Sequence, residues 1–263
     1  MTSATPQASV GLRNFTHSAK RVVSRWRPWI DGPWARVQLA GPASCHIEDT
    51  YEPHDHQVSG RYDAGVSAWE PSTALLVVDV QNDFADPAGS LSVRGGEDVV
   101  PIVNAEIERA LAARAPVVYT QDWHPASTPH FAKDGGVWPV HCVQETWGAA
   151  FHPDLAVGNA VVRKGANGED GYSGFSMRDP ITGETIPTRL AGLLRDAGVK
   201  AVVIVGLATD YCVKATALDA RALGYPATVL AAGIRAVDLQ AGDGERAIRE
   251  MEDAGVTIEG SRG

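Results

Sequence analysis

From residue 72 onward the chain predicts a three-layer αβα sandwich on a mostly parallel central sheet. Short apolar runs alternate with helical segments, the order that gives a parallel sheet covered on both faces. The first run, residues 74–80 (ALLVVDV), is almost entirely apolar, as in a strand buried on both sides. Three helical segments stop at Gly198, Gly224 and Gly255, each just before a β-rich run, the punctuation of αβ units.

The elements follow in order. After 74–80, residues 98–113 read as a helix and 116–120 as the second strand. Residues 160–163 form a short third strand. Residues 188–197 are helical, and 201–205 the next strand. Residues 210–223 are helical, and 227–231 the strand after it. The last pair is a helix over 244–254 and a strand over 256–259. There is no internal repeat and no low-complexity tract.

Composition narrows the function classes. At 44% hydrophobic and 21% charged, the chain can fill a sizeable core. A net charge of −9 opposes binding to nucleic acid. No run reaches the 18 or so apolar residues that a membrane span needs. The N-terminus lacks the apolar core of a secretory signal. Cys45, Cys142 and Cys212 are too few for a disulfide framework and fit a reducing, cytoplasmic compartment.

Two regions are expected, an N-terminal extension over 1–71 and an amidohydrolase domain over 72–263. Bases and acids balance through residue 71, so the domain carries the whole net charge. Bases cluster early in the extension, and acids dominate from Glu48 to Glu70. Leu12, Phe15, Ala19, Val22, Trp26 and Trp29 recur at helical spacing, with Pro28 limiting the helix. A short basic amphipathic helix (on a membrane surface, on a partner, or as a transit peptide) and a poorly ordered tail are both open readings. Cys45, His46, His54 and His56 lack the spacing of a metal site. Val66 is a candidate alternative start.

Ligands bind beyond the C-terminal ends of the strands of such sheets. Asp79 ends the first strand, Asp122 and His124 follow the second, Lys164 the third and Cys212 the fourth. Cys212 sits in the first turn of its helix, with Thr209 or Asp210 as N-cap. Unpaired N–H groups there favour a thiolate and can receive an oxyanion, although a lone cysteine is more often buried and inert. A charge at Asp79 has to be paired or used; its structural role would be a cap or an ion pair with Lys164. As a reacting set, Asp79 takes the thiol proton, Lys164 stabilises the thiolate, and Asp79 returns the proton to a departing amine. Asp122-x-His124, His130 and His141 form a mixed O/N donor set on one loop, suited to one divalent ion: Zn, Fe or Mn. Cys142 is core filler or an added soft ligand.

VDVQNDF (78–84), QDWH (121–124), WPVHC (138–142), RKG with GYSGF (163–175) and GLATDYCV (206–213) resemble the cysteine hydrolases of the isochorismatase-like superfamily. VDVQNDF and the cysteine segment mark the superfamily. The Asp-x-His…His…Trp-Pro-x-His-Cys block resembles its nicotinamidase, or pyrazinamidase, branch. The resemblance spans about residues 72–259.

The resemblance implies a triad of Asp79, Lys164 and Cys212. It also implies a cis peptide at Leu207–Ala208, turning the Ala208 N–H toward the oxyanion beside that of Cys212. Asp122, His124 and His141 are implied metal ligands, with His130 a ligand in some members. The metal would hold a pyridine nitrogen directly or through water. Phe84, Trp138 and Tyr172 would line the ring pocket, with Gln81 a nearby polar match. The implied reaction converts nicotinamide to nicotinate and ammonia through a Cys212 thioester, feeds NAD salvage and extends to pyrazinamide. Tyr211 stands at a variable position, and the 165–171 loop is longer and more acidic than usual. Relatives acting on carbamoyl or ureido substrates generally lack the histidine block, and the isochorismatase branch does not need the cysteine. A non-catalytic metal- or nucleotide-binding α/β protein is the remaining reading, but no Gly-x-Gly-x-x-Gly follows the first strand. Homo-oligomer formation stays open.

Overall fold

The computed structural model describes residues 69–260. The amphipathic pattern of 12–29, the Cys45/His46/His54/His56 group and the Val66 start all lie outside the described residues, as does nearly all of the 1–71 extension.

The described strands are β1 (Thr73–Val78), β2 (Val117–Asp122), β3 (Val161–Lys164), β4 (Ser176–Arg178), β5 (Thr185–Pro187), β6 (Ala201–Leu207), β7 (Ala227–Arg235) and β8 (Thr257–Glu259). The α-helices are α1 (Asn82–Ala85), α2 (Val99–Ala112), α3 (Leu190–Asp196), α4 (Lys214–Ala222) and α5 (Asp243–Asp253). Six strands form one parallel sheet in the order β3-β2-β1-β6-β7-β8, and β4 and β5 make a separate antiparallel hairpin. No helix among the described residues is long and apolar enough to cross a membrane.

Side-chain alternation along β1 builds the three layers. Leu75 and Val77 pack toward α2, with Val99, Val103 and Ile107, buried one helical turn apart. Ala74, Leu76 and Val78 pack the other way, onto Leu190 and Leu194 of α3, Ala217 of α4, and Ile248 and Met251 of α5. Each larger aliphatic side chain buried this way contributes about 1.5–3 kcal/mol. The glycines at 198, 224 and 255 have φ of +70°, +87° and +81°, so the predicted helix stops stand where a Cβ would be strained.

The strand order turns at β1, which has β2 on one side and β6 on the other. Such a switch point opens a crevice beyond the strand ends. At its floor, Gly206 pairs with Val78 across β1 and β6. A Cβ on Gly206 would stand 2.1 Å from the Val78 carbonyl oxygen, so only glycine permits this approach.

Several predicted boundaries move. β1 stops at Val78, which leaves Asp79 as the first residue beyond it, at φ +49°. β2 runs to Asp122 and β3 to Lys164, and these two residues are register partners. β7 continues to Arg235 rather than 231. The helix expected over 210–223 opens as a π-helical turn, Thr209–Val213, before α4. Neither Thr209 nor Asp210 caps it: Ala208 holds the N-cap position, with no side-chain hydrogen bond. Asp210 instead accepts the backbone N–H groups of Val237 and Asp238, both at 2.9 Å, pinning the loop after β7. The β4–β5 hairpin was not expected, because three-residue strands carry too little periodicity to show in sequence.

Candidate active site

Lys164 is fully buried at the end of β3 and gathers the groups around it. Its Nζ lies 2.7 Å from Asp79 Oδ2, 2.5 Å from Asp122 Oδ1 and 3.7 Å from Cys212 Sγ, and it donates to the Gly171 carbonyl. The carboxylates of Asp79 and Asp122 and the sulfur of Cys212 lie within 4.8 Å of one another. Such a set could hold a metal, but here the ammonium supplies the positive charge. Asp79 Oδ1 accepts from Thr120 Oγ1 at 2.7 Å. Asp79 Oδ2 meets Lys164 as an ion pair without an aligned hydrogen bond, which leaves a lone pair for a nearby proton.

Burial sets the protonation states. Desolvation raises the Asp79 pKa to about 6, against the pull of Lys164 and with the push of Asp122. Burial would lower Lys164, but Asp122 and Asp79 outweigh it and hold the ammonium charged. Asp122 goes the other way, because Lys164 and the histidines overcome its desolvation and keep it ionised. Burial lifts the Cys212 thiol well above its ordinary value, and Lys164 only partly offsets this. A resting thiolate, expected from the helix N-terminus, therefore gives way to a buried thiol that needs a base.

The long connection from β2 to β3 carries the histidines. The His124 backbone is tied to the middle of that loop, its N–H donating to the Cys142 carbonyl and its carbonyl accepting from the Gln144 N–H. His124, His130 and His141 bring one ring nitrogen each within 4.8 Å of the others, and all three are buried. Asp122 Oδ2 lies 3.7 Å from His124 Nε2 and 3.9 Å from His141 Nε2. His141 Nδ1 meets the Pro139 carbonyl at 2.7 Å, which turns Nε2 inward. Burial lowers the His141 pKa to about 4 and that of His130 below its usual value, so both rings are neutral donors near pH 7.

Both ring nitrogens of His124 are buried without a hydrogen-bond partner. Orphaned ring nitrogens are costly in a core, and a metal ion would satisfy one of the two. Gly165 is moulded to the same ring, since a Cβ there would stand 2.5 Å from His124 Cε1. The donor set therefore fits one divalent metal ion. Cys142 is not part of it: it is fully buried in the core under α2, with Sγ 3.9 Å from the Gly148 carbonyl.

A cleft of about 420 Å³, part of it open to solvent, opens onto both groups. Phe84, Trp138 and Tyr172 line it with Asp122, His130, His141, Ala208 and Cys212. Trp138 Nε1 donates to Tyr172 Oη at 2.7 Å, fixing two walls against each other. The Leu207–Ala208 peptide is cis.

Gln81 does not line the cleft. It is fully buried behind Asp122, donating through Nε2 to the Asp122 and Ala149 carbonyls and accepting the Asp122 N–H. Two wall residues escaped the sequence reading, Leu91 and Val237; Tyr211, singled out there as a variable position, also lines the cleft, its ring meeting Trp138 edge-on at 4.8 Å. Tyr211 had a signal in its place beside Cys212. Leu91 and Val237 had none.

Residues 73–262 match the family described as the isochorismatase domain. The Escherichia coli nicotinamidase is 40% identical over 207 residues, covering 72% of this chain and 94% of that protein. Among solved structures, the Pyrococcus horikoshii pyrazinamidase in complex with zinc is 41% identical, with a TM-score of 0.64 over 72% of this chain and 98% of that one. PnC1 from L. infantum, in complex with nicotinate, is 38% identical, with a TM-score of 0.64 over 72% and 93%.

Proposed function

This chain belongs to the isochorismatase-domain family, and from that premise we propose that it is a nicotinamidase. It hydrolyses the amide C–N bond of nicotinamide to give nicotinate and ammonia, supplying nicotinate for NAD salvage, and it accepts pyrazinamide. The observation that carries this reading is the placement of His130 and His141, two of the three clustered histidines, and of Cys212 on one aromatic-walled cleft.

Asp79 and Lys164 act on Cys212. Asp79 takes the thiol proton while Lys164 stays charged beside the sulfur, so the sulfur becomes nucleophilic as it reaches the carboxamide carbon. The N–H groups of Ala208 and Cys212 receive the oxyanion. Ammonia departs with the proton from Asp79, leaving a thioester on Cys212. Asp79 then takes a proton from water as the water oxygen attacks the thioester; the C–S bond breaks, nicotinate leaves, and the proton returns from Asp79 to the Cys212 sulfur.

Asp122, His124, His130 and His141 hold one divalent ion (Zn, Fe or Mn). When bound, that ion supplies a Lewis-acid anchor for a ring nitrogen. Phe84, Trp138 and Tyr172 hold the flat ring and exclude water. Cys142 and Cys212 are free thiols, in keeping with a cytoplasmic enzyme. Assembly of copies into an oligomer is compatible with this reading.

The test is ammonia release from nicotinamide by the metal-loaded wild type, Cys212→Ala and His124→Ala. Wild type is expected to release ammonia, Cys212→Ala to release none, and His124→Ala to need far more substrate. A wild type that ignores nicotinamide but cleaves a ureido compound overturns the substrate assignment.

A further inference from the structure

The loop over 165–171 touches both halves of the site. Gly165 abuts the His124 ring, and the Gly171 carbonyl accepts from Lys164. Between them, Asp170 Oδ1 lies 2.7 Å from His130 Nδ1. The loop is held on each side. Thr128 Oγ1 donates to the Gly168 carbonyl at 2.8 Å, and Gln144 Nε2 to the Ala166 carbonyl at 2.8 Å. Asp170 and Arg178 exchange backbone hydrogen bonds at 2.8 and 2.9 Å, fixing the loop to β4.

A carboxylate only accepts hydrogen bonds, so Asp170 requires the proton of a neutral His130 on Nδ1. That leaves the Nε2 lone pair free. The ring is held on its other side by the His124 imidazole, stacked at 4.7 Å and 16°. The Asp170 contact therefore selects the His130 tautomer protonated on Nδ1, and one ring nitrogen of His130 lies within 4.8 Å of one each from His124 and His141. Without the carboxylate the ring keeps its burial but loses what fixes its orientation.

We infer that Asp170 is a positioning residue that makes His130 a working metal ligand, so that this site binds its ion with His130 as well as Asp122, His124 and His141. The inference rests on the metal reading above and not on the identity of the amide substrate. Carboxylates behind ligand histidines typically change metal affinity by about 10–100-fold.

The experiment is titration of full-length, metal-stripped protein with Zn²⁺ and Co²⁺ for wild type, Asp170→Ala, Asp170→Asn, His130→Ala and the Asp170→Ala/His130→Ala double variant. Far-UV circular dichroism and Tm of the stripped proteins report folding. Asp170→Ala is expected to weaken metal binding about 10–100-fold and to move the Co²⁺ visible spectrum toward that of His130→Ala. Asp170→Asn keeps the shape but can donate its amide to Nδ1, driving the proton to Nε2, and is expected to weaken binding too. In the His130→Ala background, Asp170→Ala is expected to add nothing, because its effect runs through that ring. Wild-type affinity and spectrum in Asp170→Ala, or equal losses in both backgrounds, overturn the inference. A wild type that takes up neither metal overturns it together with the metal reading. A wild type that binds metal but spares nicotinamide overturns only the substrate assignment.

Discussion

Lys164 Nζ lies 2.5 Å from Asp122 Oδ1, and that one ion pair joins the two halves of the site. Asp122 turns its other oxygen toward His124 and His141, while Lys164 reaches on to Asp79 and Cys212. The proton-transfer group and the histidine cluster are therefore joined through Asp122.

Removing the ammonium should unbalance this network. Lys164→Met leaves the fully buried Asp79 and the buried Asp122 without their counterion. Breaking a buried pair in this way typically costs about 3–5 kcal/mol. Urea unfolding of the variant should show a loss of that order, together with loss of ammonia release. A midpoint equal to wild type would contradict the geometry.

Cys212→Ser tests the nucleophile while keeping the shape. The hydroxyl ionises far less readily than a thiol beside the same Asp79, so turnover is expected to drop by about 10³-fold or more. A single-turnover experiment with wild type should trap an acyl group on Cys212, detected by mass spectrometry, that the variant lacks.

The pH dependence follows from Asp79, whose pKa is raised to about 6 by burial. Below that pH the carboxyl is neutral and cannot take the thiol proton; above it the carboxylate can. The kcat/KM for nicotinamide should therefore fall as pH drops through about 6, with the ionised form active. A profile flat from pH 5 to 8 would remove Asp79 from the role of base.

Chelation tests the histidine cluster apart from the triad. An ion that binds only the folded protein stabilises it, so metal removal should lower Tm. It should also raise the KM for nicotinamide. Alkylation of Cys212 by a small haloacetamide should persist in the stripped protein, since the Asp79–Lys164–Cys212 contacts involve none of the histidines.

Gln81 acts on the scaffold. Gln81→Ala removes three buried hydrogen bonds, two of them to the backbone of Asp122. The expected loss of stability is about 2–4 kcal/mol, with weaker metal binding as Asp122 loosens. A variant with wild-type stability and an altered KM would return Gln81 to the substrate side.

The sequence by itself determined the layering, the helix stops and the residues at the strand ends. Hydrophobic period, glycine stops and the strand-end rule are local properties, readable within a few positions. That is why Asp79, Asp122, Lys164 and Cys212 could be picked out from sequence and stand at or just beyond the ends of neighbouring strands of one sheet. Tertiary structure alone decided what each of them touches. Gln81 reads as a pocket residue in its motif, yet it faces a backbone that comes from 41 residues away. Asp170 meets His130 across 40 residues, and Asp210, a cap by its local pattern, holds a loop 27 residues on. The thiol was expected to be acidic because its helix begins beside it, but burial, a property of the whole packed molecule, reversed that. Hydrogen-bond partners and solvation depend on which distant segments close over a residue, and that is fixed only when the layers pack.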